Sequence, residues 1–296
     1  MTPAPASGRR AVTPRSAPGA PRKLRIACWN IWGFSWEWPR RRPLVAAELA
    51  DLTPDAVFLH ETRAASRPWE NGESTPTQVA ADSGLVVVDW IDAPTTHPGS
   101  RMGPALLAGE PKIETSRHQL ADRSSVTNLG FHEPWLLTAR WDLNGARLVV
   151  ASTHLPRSGL TQALEASASK LIEVLPALSQ DADLLVLVGD LNLMPQSSLL
   201  YGLMQAVGLE SVPPLDKAPA TFPTCNAMFN RQAADDGIGN PIHPQAPPIR
   251  IDHLLVRSNP EAPLKLVASG RFGTTHRDGD LYASDHWGLW FDVAAA

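Results

Sequence analysis

Apolar runs that end on polar residues recur along this chain, and each has the length of a β-strand. The run at 184–190 is apolar at five successive positions and then reaches Gly189, Asp190 and, two residues later, Asn192. A strand buried on both faces has this composition, and residues two apart in a strand point to the same side. We therefore predict that Asp190 and Asn192 address one ligand together, although Gly-Asp-x-Asn alone is also common in turns.

The same hydrophobic pattern predicts mostly strands, with a few amphipathic helices between them. Two alternating segments flank Asn144-Gly145, which is a strong signal for a β-hairpin. The predicted strands are 24–30, 55–61, 85–90, 104–108, 112–118, 135–143, 146–154, 184–190, 250–256, 264–270 and 286–293, and the predicted helices are 43–52, 160–178 and 197–207. This order favours antiparallel-rich sheets that pack face to face, with helices outside.

Composition and length are those of one soluble globular domain. The chain has 296 residues, 43% of them hydrophobic, and a net charge of −4, which argues against a protein that holds nucleic acid by bulk charge. Cys28 and Cys225 are too few and too far apart for a disulfide framework or a zinc site. We expect both to be free thiols in a reducing compartment, and the protein to be a cytoplasmic monomer without a transmembrane segment.

Two segments fall outside this pattern. Residues 1–22 contain five prolines, four arginines and no acid, which predicts a disordered basic tail before a single domain at 23–296. The segment 212–249 is long and rich in proline, and it carries Asp235 and Asp236. A loop of this length in a compact domain is usually functional or disordered, so we predict a mildly acidic lid or wall over the site.

Polar residues lie at the ends of several predicted strands, and together they favour one kind of chemistry. Taken singly, each has a structural alternative: a turn cap, a pair between Glu61 and Arg63, or a core histidine. The complete set is Asn30, Glu61, His154, Asp190, Asn192, Asp252, Asp285 and His286.

Jointly, these side chains suit hydrolysis at a phosphate group. Glu61 offers a hard oxygen ligand for Mg²⁺, and two histidines can share the proton transfers at a phosphate. Asp252 is the candidate to hold His286 as the base, because a carboxylate on one ring nitrogen fixes the tautomer and raises the pKa of the histidine. Asn30, Asn192 and Asp190 would then orient the water and the phosphate.

Six motifs in order resemble the endonuclease/exonuclease/phosphatase superfamily, over residues of about 24 to 293. They are Ala-Cys-Trp-Asn-Ile-Trp-Gly (27–33), Phe-Leu-His-Glu-Thr-Arg (58–63), Ser-Thr-His-Leu (152–155), Gly-Asp-Leu-Asn (189–192), Arg-Ile-Asp-His-Leu-Leu-Val (250–256) and Ser-Asp-His-Trp-Gly (284–288). The resemblance implies a deoxyribonuclease I-like four-layer α/β sandwich, with two mixed, mainly antiparallel sheets, and phosphoester hydrolysis that depends on Mg²⁺ or, alternatively, Mn²⁺.

By position, the resemblance also implies a role for each residue. It assigns metal binding to Glu61, with Asp285 near the metal. His286 would be the general base with Asp252 behind it, and Asp190 would orient or activate the nucleophile. Phosphate contacts are implied for Asn30, His154 and Asn192, with His154 also counted among the catalytic residues.

The departures from the family pattern bear on the substrate. His60 replaces the usual Gln before the metal-binding Glu, which we interpret as a tolerated neighbour able to hydrogen-bond within the site. Trp32 and His154 point away from abasic-site repair and toward the histidine-using branch, which includes deoxyribonucleases, sphingomyelinases and 5′-tyrosyl-DNA phosphodiesterases.

The substrate itself stays open at the level of sequence. Trp29, Trp32, Trp36 and Trp38 precede Arg40–Arg42 and could form a stacking wall for bases, but packing of the tryptophans into the fold is favoured. Small phosphodiesters or phosphomonoesters and nucleic acid both remain as substrates. A non-catalytic module of the same fold is the alternative from another class.

Overall fold

A computed structural model describes ten stretches of the chain: residues 23–35, 37–65, 72–96, 99–110, 112–122, 132–157, 159–223, 247–258, 261–275 and 281–295. The tail predicted at 1–22, Trp36, Cys225 and the middle of the predicted loop at 212–249, with its two aspartates, lie outside the described residues. Within them, Cys28 is a buried free thiol. None of the described helices combines the length and the apolar character needed to cross a membrane.

Thirteen strands in the described residues form two sheets. They are β1 (Lys23–Asn30), β2 (Ala56–Arg63), β3 (Val86–Trp90), β4 (Ala93–Pro94), β5 (Arg101–Ala108), β6 (Glu114–Gln119), β7 (Trp135–Leu143), β8 (Ala146–Thr153), β9 (Leu184–Asp190), β10 (Glu210–Ser211), β11 (Asp252–Ser258), β12 (Leu264–Phe272) and β13 (Gly288–Ala295). The first sheet has the order β12-β13-β1-β2-β5-β3, with β4 beside β5, and the second has the order β10-β11-β9-β8-β7-β6. Only β1–β2 and β8–β9 pair in parallel, so the sheets are mixed and mainly antiparallel.

Four described helices cover the outer faces of the two sheets. They are α1 (Trp38–Leu52), α2 (Thr75–Ser83), α3 (Thr161–Leu178) and α4 (Ser198–Val207). Val45 of α1 and Val79 of α2 pack with Val57 of the first sheet, while Leu171 of α3 packs with Leu187 of the second. Alternate strand residues turn inward, so that side chains of both sheets share one core between them. This is the four-layer α/β sandwich that the sequence predicts.

The topology gathers the ends of five strands at one edge of the sandwich. In the first sheet, β1 and β2 are parallel neighbours; β1 ends at Asn30 and β2 ends with Glu61–Arg63. In the second sheet, β8 and β9 are parallel neighbours. Strand β11 runs antiparallel to β9, so its first residue, Asp252, stands opposite Asp190. Polar residues far apart in sequence therefore meet at this edge.

Several predicted element boundaries are wrong. Helix α1 begins at Trp38 instead of 43, because Pro39 occupies its first turn, where a missing N–H costs no helical hydrogen bond. Helix α2 was not predicted, although Ser74 caps its start and Gly84 ends it in the left-handed conformation. Strand β11 begins two residues later than predicted. Strand β13 begins at Gly288, so His286 lies in the preceding turn and not in the strand.

The described tryptophans in and after β1 pack into the fold, as the favoured interpretation predicts. Trp29 and Trp32 are buried. Arg41 is also fully buried, and it donates hydrogen bonds to four carbonyl oxygens, including those of Ile31 and Ala283. Arginines in the first turn of a helix are usually surface residues, so the sequence favours an exposed Arg41, and this expectation is wrong. The neighbouring arginines pair with acids, Arg40 with Glu37 and Arg42 with Asp82.

Candidate active site

A histidine–carboxylate dyad joins the two sheets at the edge where the strands end. Nδ1 of His286 lies 3.0 Å from Oδ2 of Asp252, and both residues are buried. Burial alone would lower the pKa of His286, but the carboxylates of Asp252, Asp190 and Asp285 raise it well above its ordinary value. A neutral His286 in this arrangement keeps its proton on Nδ1 and presents Nε2 to the site.

Three further residues fix the geometry of the dyad. The backbone N–H of Asp252 donates to Oγ1 of Thr221 at 3.0 Å, and Nε1 of Trp29 donates to the carbonyl oxygen of His286 at 2.9 Å. The ring of Phe222 meets the imidazole of His286 edge to face, with 4.9 Å between centroids. Although burial would raise the pKa of Asp252, the neighbouring His286 holds it below its ordinary value, so this carboxylate stays ionised.

Asp190 is the centre of the cluster, because three side chains converge on its Oδ2 atom. Nε2 of His154 lies 3.4 Å away, Nε2 of His286 lies 3.7 Å away, and Nδ2 of Asn30 donates at 3.2 Å. Burial, followed by the repulsion of Asp252, raises the pKa of Asp190 to about 8. Near neutral pH this carboxyl group therefore carries a proton for much of the time when no cation is bound.

The histidine on the other side of Asp190 has different neighbours. His154 stands next to His132, with ring centroids 4.3 Å apart, and its ring is stacked at 6.1 Å from that of His60. Burial and these two histidines lower the pKa of His154 well below its ordinary value, so His154 is neutral. Sequence reasoning missed His132, which also lines a small cavity beside Glu61 and His154.

Asn30 links the metal-ligand candidate to the centre of the site. Its Nδ2 donates to Oε1 of Glu61 at 3.0 Å as well as to Asp190, and its Oδ1 accepts from the backbone N–H of Trp32 at 3.1 Å. Glu61 has a φ of 55°, at an irregularity in the pairing of β2 with β5. This left-handed residue redirects the end of the strand, and so it places the carboxylate of Glu61 beside Asn30.

Asn192 is held next to Asp190 by both its backbone and its side chain. Its N–H donates to Oδ1 of Asp190 at 3.1 Å, and its Nδ2 donates to the carbonyl oxygen of Leu155 at 2.8 Å. With a φ of 51°, Asn192 occupies the left-handed region that asparagine tolerates better than most residues. The second amide N–H and the side-chain carbonyl are the groups that it can offer to a ligand.

Asp285 belongs to the same edge through the turn that precedes β13. Oγ of Ser284 donates its one proton to the carbonyl oxygen of Asn30 at 2.6 Å and lies 3.2 Å from Oδ1 of Asp285. Burial and the carboxylate of Glu61 raise the pKa of Asp285 to about 6, while the buried guanidinium of Arg41 opposes this rise. Ser284 therefore ties the turn to β1 and brings a second carboxylate toward Glu61.

His60 has a supporting position beneath the site. It is fully buried, and its Nε2 lies 2.9 Å from Oγ of Ser152. A Cβ atom on Gly189 would lie 2.0 Å from the carbonyl oxygen of Thr153 and 2.8 Å from Cε1 of His60. Glycine is therefore required before Asp190 so that β8 and β9 can close over this histidine.

The crowded carboxylates fit a divalent cation. Although burial would raise the pKa of Glu61, the hydrogen bond from Asn30 and the charge of Arg63 hold it below its ordinary value, so Glu61 is an anion. Glu61 and Asp285 offer the hard oxygen atoms that Mg²⁺ prefers. Potential ligand atoms of Asp190, Asp252 and His286 also lie within 4.8 Å of one another, but Nδ1 of His286 is already engaged by Asp252.

The structure thus brings all eight sequence-predicted site residues to one edge. Six are joined directly by contacts around Asp190, namely Asn30, Glu61, His154, Asp190, Asp252 and His286. Asn192 and Asp285 adjoin them through the backbone and through Ser284. Three residues were missed as site components, namely His132, Thr221 and Ser284. Of these, Ser284 lies within the motif at 284–288, whereas Thr221 and His132 lie outside all six motifs.

Comparison with known proteins supports this assignment of the fold. The chain has 19% sequence identity to D. rerio TDP2, solved with a single-strand DNA product, with a TM-score of 0.66 over 92% of this chain and 98% of that one. The catalytic domain of human Nocturnin, solved with a bound sulfate, has 19% identity and a TM-score of 0.63 over 93% and 94%. An endonuclease/exonuclease/phosphatase from Beutenbergia cavernae has 22% identity and a TM-score of 0.59 over 93% and 72%.

At the level of sequence, no curated protein matches the chain. The family model described as "Endonuclease/Exonuclease/phosphatase family" matches residues 27–286, which span every candidate site residue. The chain therefore belongs to the endonuclease/exonuclease/phosphatase family.

Proposed function

We propose that this protein is a phosphoester hydrolase that depends on a divalent metal ion, with Mg²⁺ as the expected ion and Mn²⁺ as an alternative. The observation that carries the proposal is the convergence of two histidines on Oδ2 of Asp190, at 3.4 and 3.7 Å, with Asp252 behind one of them. A buried carboxylate between two imidazoles is suited to holding and deprotonating a water molecule.

The dyad supplies the general base in this proposal. His286 accepts the proton of the attacking water at Nε2 while its Nδ1–H stays on Asp252, which stabilises the imidazolium that forms. Asp190 orients the water from the adjacent position. The acids around His286 raise its pKa well above the ordinary value despite its burial, so Nε2 binds a proton strongly once it is unprotonated, which is the state that alkaline pH favours.

His154, Asn30 and Asn192 act on the phosphate in the same proposal. A neutral His154 donates a hydrogen bond from Nε2 to a phosphoryl oxygen or to the leaving group. Asn192 contacts the phosphate with its remaining amide groups. Asn30 uses its amide on Glu61 and Asp190 in the structure, so it supports the phosphate site chiefly by positioning these two carboxylates.

Glu61 and Asp285 are the residues that would hold the metal. When bound, a divalent cation supplies positive charge to the phosphoryl oxygens and offsets the charge that builds up during displacement. A cation between them would relieve their repulsion, because burial and the charge of Glu61 raise the pKa of Asp285 to about 6.

Nucleic acid is the second candidate substrate, and two observations favour it. Arg63 and Arg157 exert positive charge on Glu61 and His132 at the rim of the site. The structural neighbour TDP2 was solved with a single-strand DNA product. Arginines beside an active site can position a phosphate backbone without reading its sequence.

A substrate panel tests the proposal. The purified chain is assayed on bis-p-nitrophenyl phosphate, p-nitrophenyl phosphate, single-stranded DNA and duplex DNA, each with EDTA, Mg²⁺ or Mn²⁺. We expect hydrolysis that EDTA abolishes and Mg²⁺ restores. Cleavage of DNA that falls steeply with salt selects the nucleic-acid candidate. A folded protein that hydrolyses none of these with either metal contradicts the proposal and favours a binding module.

A further inference from the structure

A second cavity opens between the two sheets, at the edge where β11 faces β12 and β13. Its volume is about 340 Å³, and its lining includes Leu254 of β11, Leu289 of β13 and Arg271 of β12. None of the eight candidate active-site residues lines it. Cavities of roughly 300–1,000 Å³ are typical of small-molecule sites.

One wall of this cavity carries a buried arginine with an unused donor. Arg250 is 6% exposed; its Nε donates to the carbonyl oxygen of Asp252 at 3.3 Å and its Nη2 to Oγ of Ser211 at 3.2 Å. Its Nη1 is buried and has no hydrogen-bond partner among the described residues. Because burial lowers the pKa of Arg250 only to about 10, the group keeps its positive charge at neutral pH.

A second arginine faces the same space from β12. The guanidinium of Arg271 lies 4.7 Å above the ring of Trp287, and its Nη1 donates to the carbonyl oxygen of Ala220. No carboxylate in the described part of the chain forms a salt bridge with Arg250 or Arg271. The carboxylate of Asp252 acts on Arg250 only at longer range and is already engaged by His286, so two cations line one cavity without a salt-bridge partner among the described residues, although buried charges are usually paired.

We propose that this cavity binds a small organic anion. A phosphate or carboxylate group pairs with Arg250 and Arg271, and an apolar body packs against Leu254 and Leu289. Thr221 lines the cavity and also accepts the hydrogen bond from the backbone N–H of Asp252, so the dyad and the cavity share one rigid wall.

Calorimetric titration of the metal-free full chain tests this proposal. Phenylphosphonate and benzoate are the two probes, and they distinguish a phosphate-like ligand from a carboxylate. We expect one of them to bind with a stoichiometry of one, and Arg271→Gln and Arg250→Gln to weaken binding at least tenfold. The matched control is Arg257→Gln on β11, because Arg257 donates hydrogen bonds to Ser179 away from the cavity, and this variant should leave binding unchanged.

A further variant locates the bound anion. Asn192→Ala removes a proposed phosphate contact of the active site and should leave probe binding as in the wild type. Absence of binding for both probes overturns the proposal, as does binding that survives Arg271→Gln and is lost in Asn192→Ala. If Arg250→Gln does not fold, binding of the probes to Arg271→Gln alone tests the proposal, because Arg271 is only half-buried. No turnover is measured, so this result is independent of the proposed hydrolase activity.

Discussion

The two histidines that flank Asp190 lie at similar distances from the same carboxylate oxygen, yet their protonation differs. His286 faces Asp252, Asp190 and Asp285, and its pKa is raised well above the ordinary value although it is buried. His154 is almost as buried, with 11% of its side chain exposed against 6% for His286, but it faces His132 and His60, and its pKa is lowered. The side chains around each ring thus shift the pKa values of two histidines in opposite directions, as the proposed roles of base and neutral donor require.

Removal of His286, the proposed base, should have the largest effect on the rate. His286→Ala is expected to lower kcat about 10²- to 10⁴-fold, because no other imidazole in the described residues is hydrogen-bonded to an ionised carboxylate. Steady-state assays on bis-p-nitrophenyl phosphate measure the effect, with circular dichroism as the test of folding. The matched control, His118→Ala on β6, should keep the wild-type rate, since His118 contacts Ser116 outside the site. A wild-type rate for His286→Ala would remove it as the base.

Neutralising the metal-ligand candidate should have the next largest effect. Glu61→Gln keeps the shape of the side chain but deletes its charge, so we expect the Mg²⁺ concentration for half-maximal activity to rise about tenfold or more. A Mg²⁺ titration of the rate provides the readout, and Glu173→Gln is the control because Glu173 pairs with Lys170 on helix α3, away from the site. An unchanged Mg²⁺ dependence would show that Glu61 is not a ligand.

Replacing Asp252, the carboxylate that is bonded to His286, should bring the pKa of His286 closer to that of His154. Asp252→Asn removes the carboxylate that stabilises the imidazolium, so kcat should fall roughly 10- to 100-fold. The acid limb of the pH–rate profile should also shift to lower pH, because the pKa of His286 falls. A loss of rate without any shift in the profile would mean that Asp252 is only structural.

The shifted pKa values of Asp190 and His286 should also make the free energy of unfolding of the metal-free protein depend on pH. The pKa of Asp190 is raised to about 8, so the folded state keeps a proton that the unfolded state releases near pH 4. The raised pKa of His286 has the same effect, because the folded state also holds this proton more tightly than the unfolded state does. The histidines with lowered pKa values add no pH dependence above about pH 6.5, where they are neutral in both states.

The free energy of unfolding should therefore fall between pH 6.5 and 8. Asp190 and His286 each contribute about 1 kcal/mol per pH unit to this fall. Denaturant unfolding with EDTA measures this slope, and Asp190→Asn should flatten it. A slope that Asp190→Asn leaves unchanged would contradict the raised pKa of Asp190.

Most of the fold could be predicted because its signals are local. The apolar run before Asp190 and the Asn144-Gly145 turn specify strands and a hairpin from their own residues. Long-range contacts decide the rest. Arg41 is buried because it bonds to the carbonyl oxygen of Ala283, 242 residues away, and no periodicity in the sequence marks such a contact.

In the candidate site, too, residues with a local sequence signal could be predicted and residues placed by long-range contacts could not. Asp190, Asp252 and His286 could be predicted, because each lies in a motif at or near a strand end. His132 could not, since its place beside His154 comes from its bridge to Thr95 and from the start of β7, not from its own neighbours in sequence. The bridging role of Asn30 likewise requires coordinates, because it depends on two carboxylates in different sheets.

The most direct test of the division between the two histidines is an NMR titration of their ring protons in one metal-free sample. Assignments come from His286→Gln and His154→Gln. We predict that His286 titrates well above pH 6.5 and that His154 stays neutral well below it. Similar pKa values for the two rings, or the reverse order, would contradict the account.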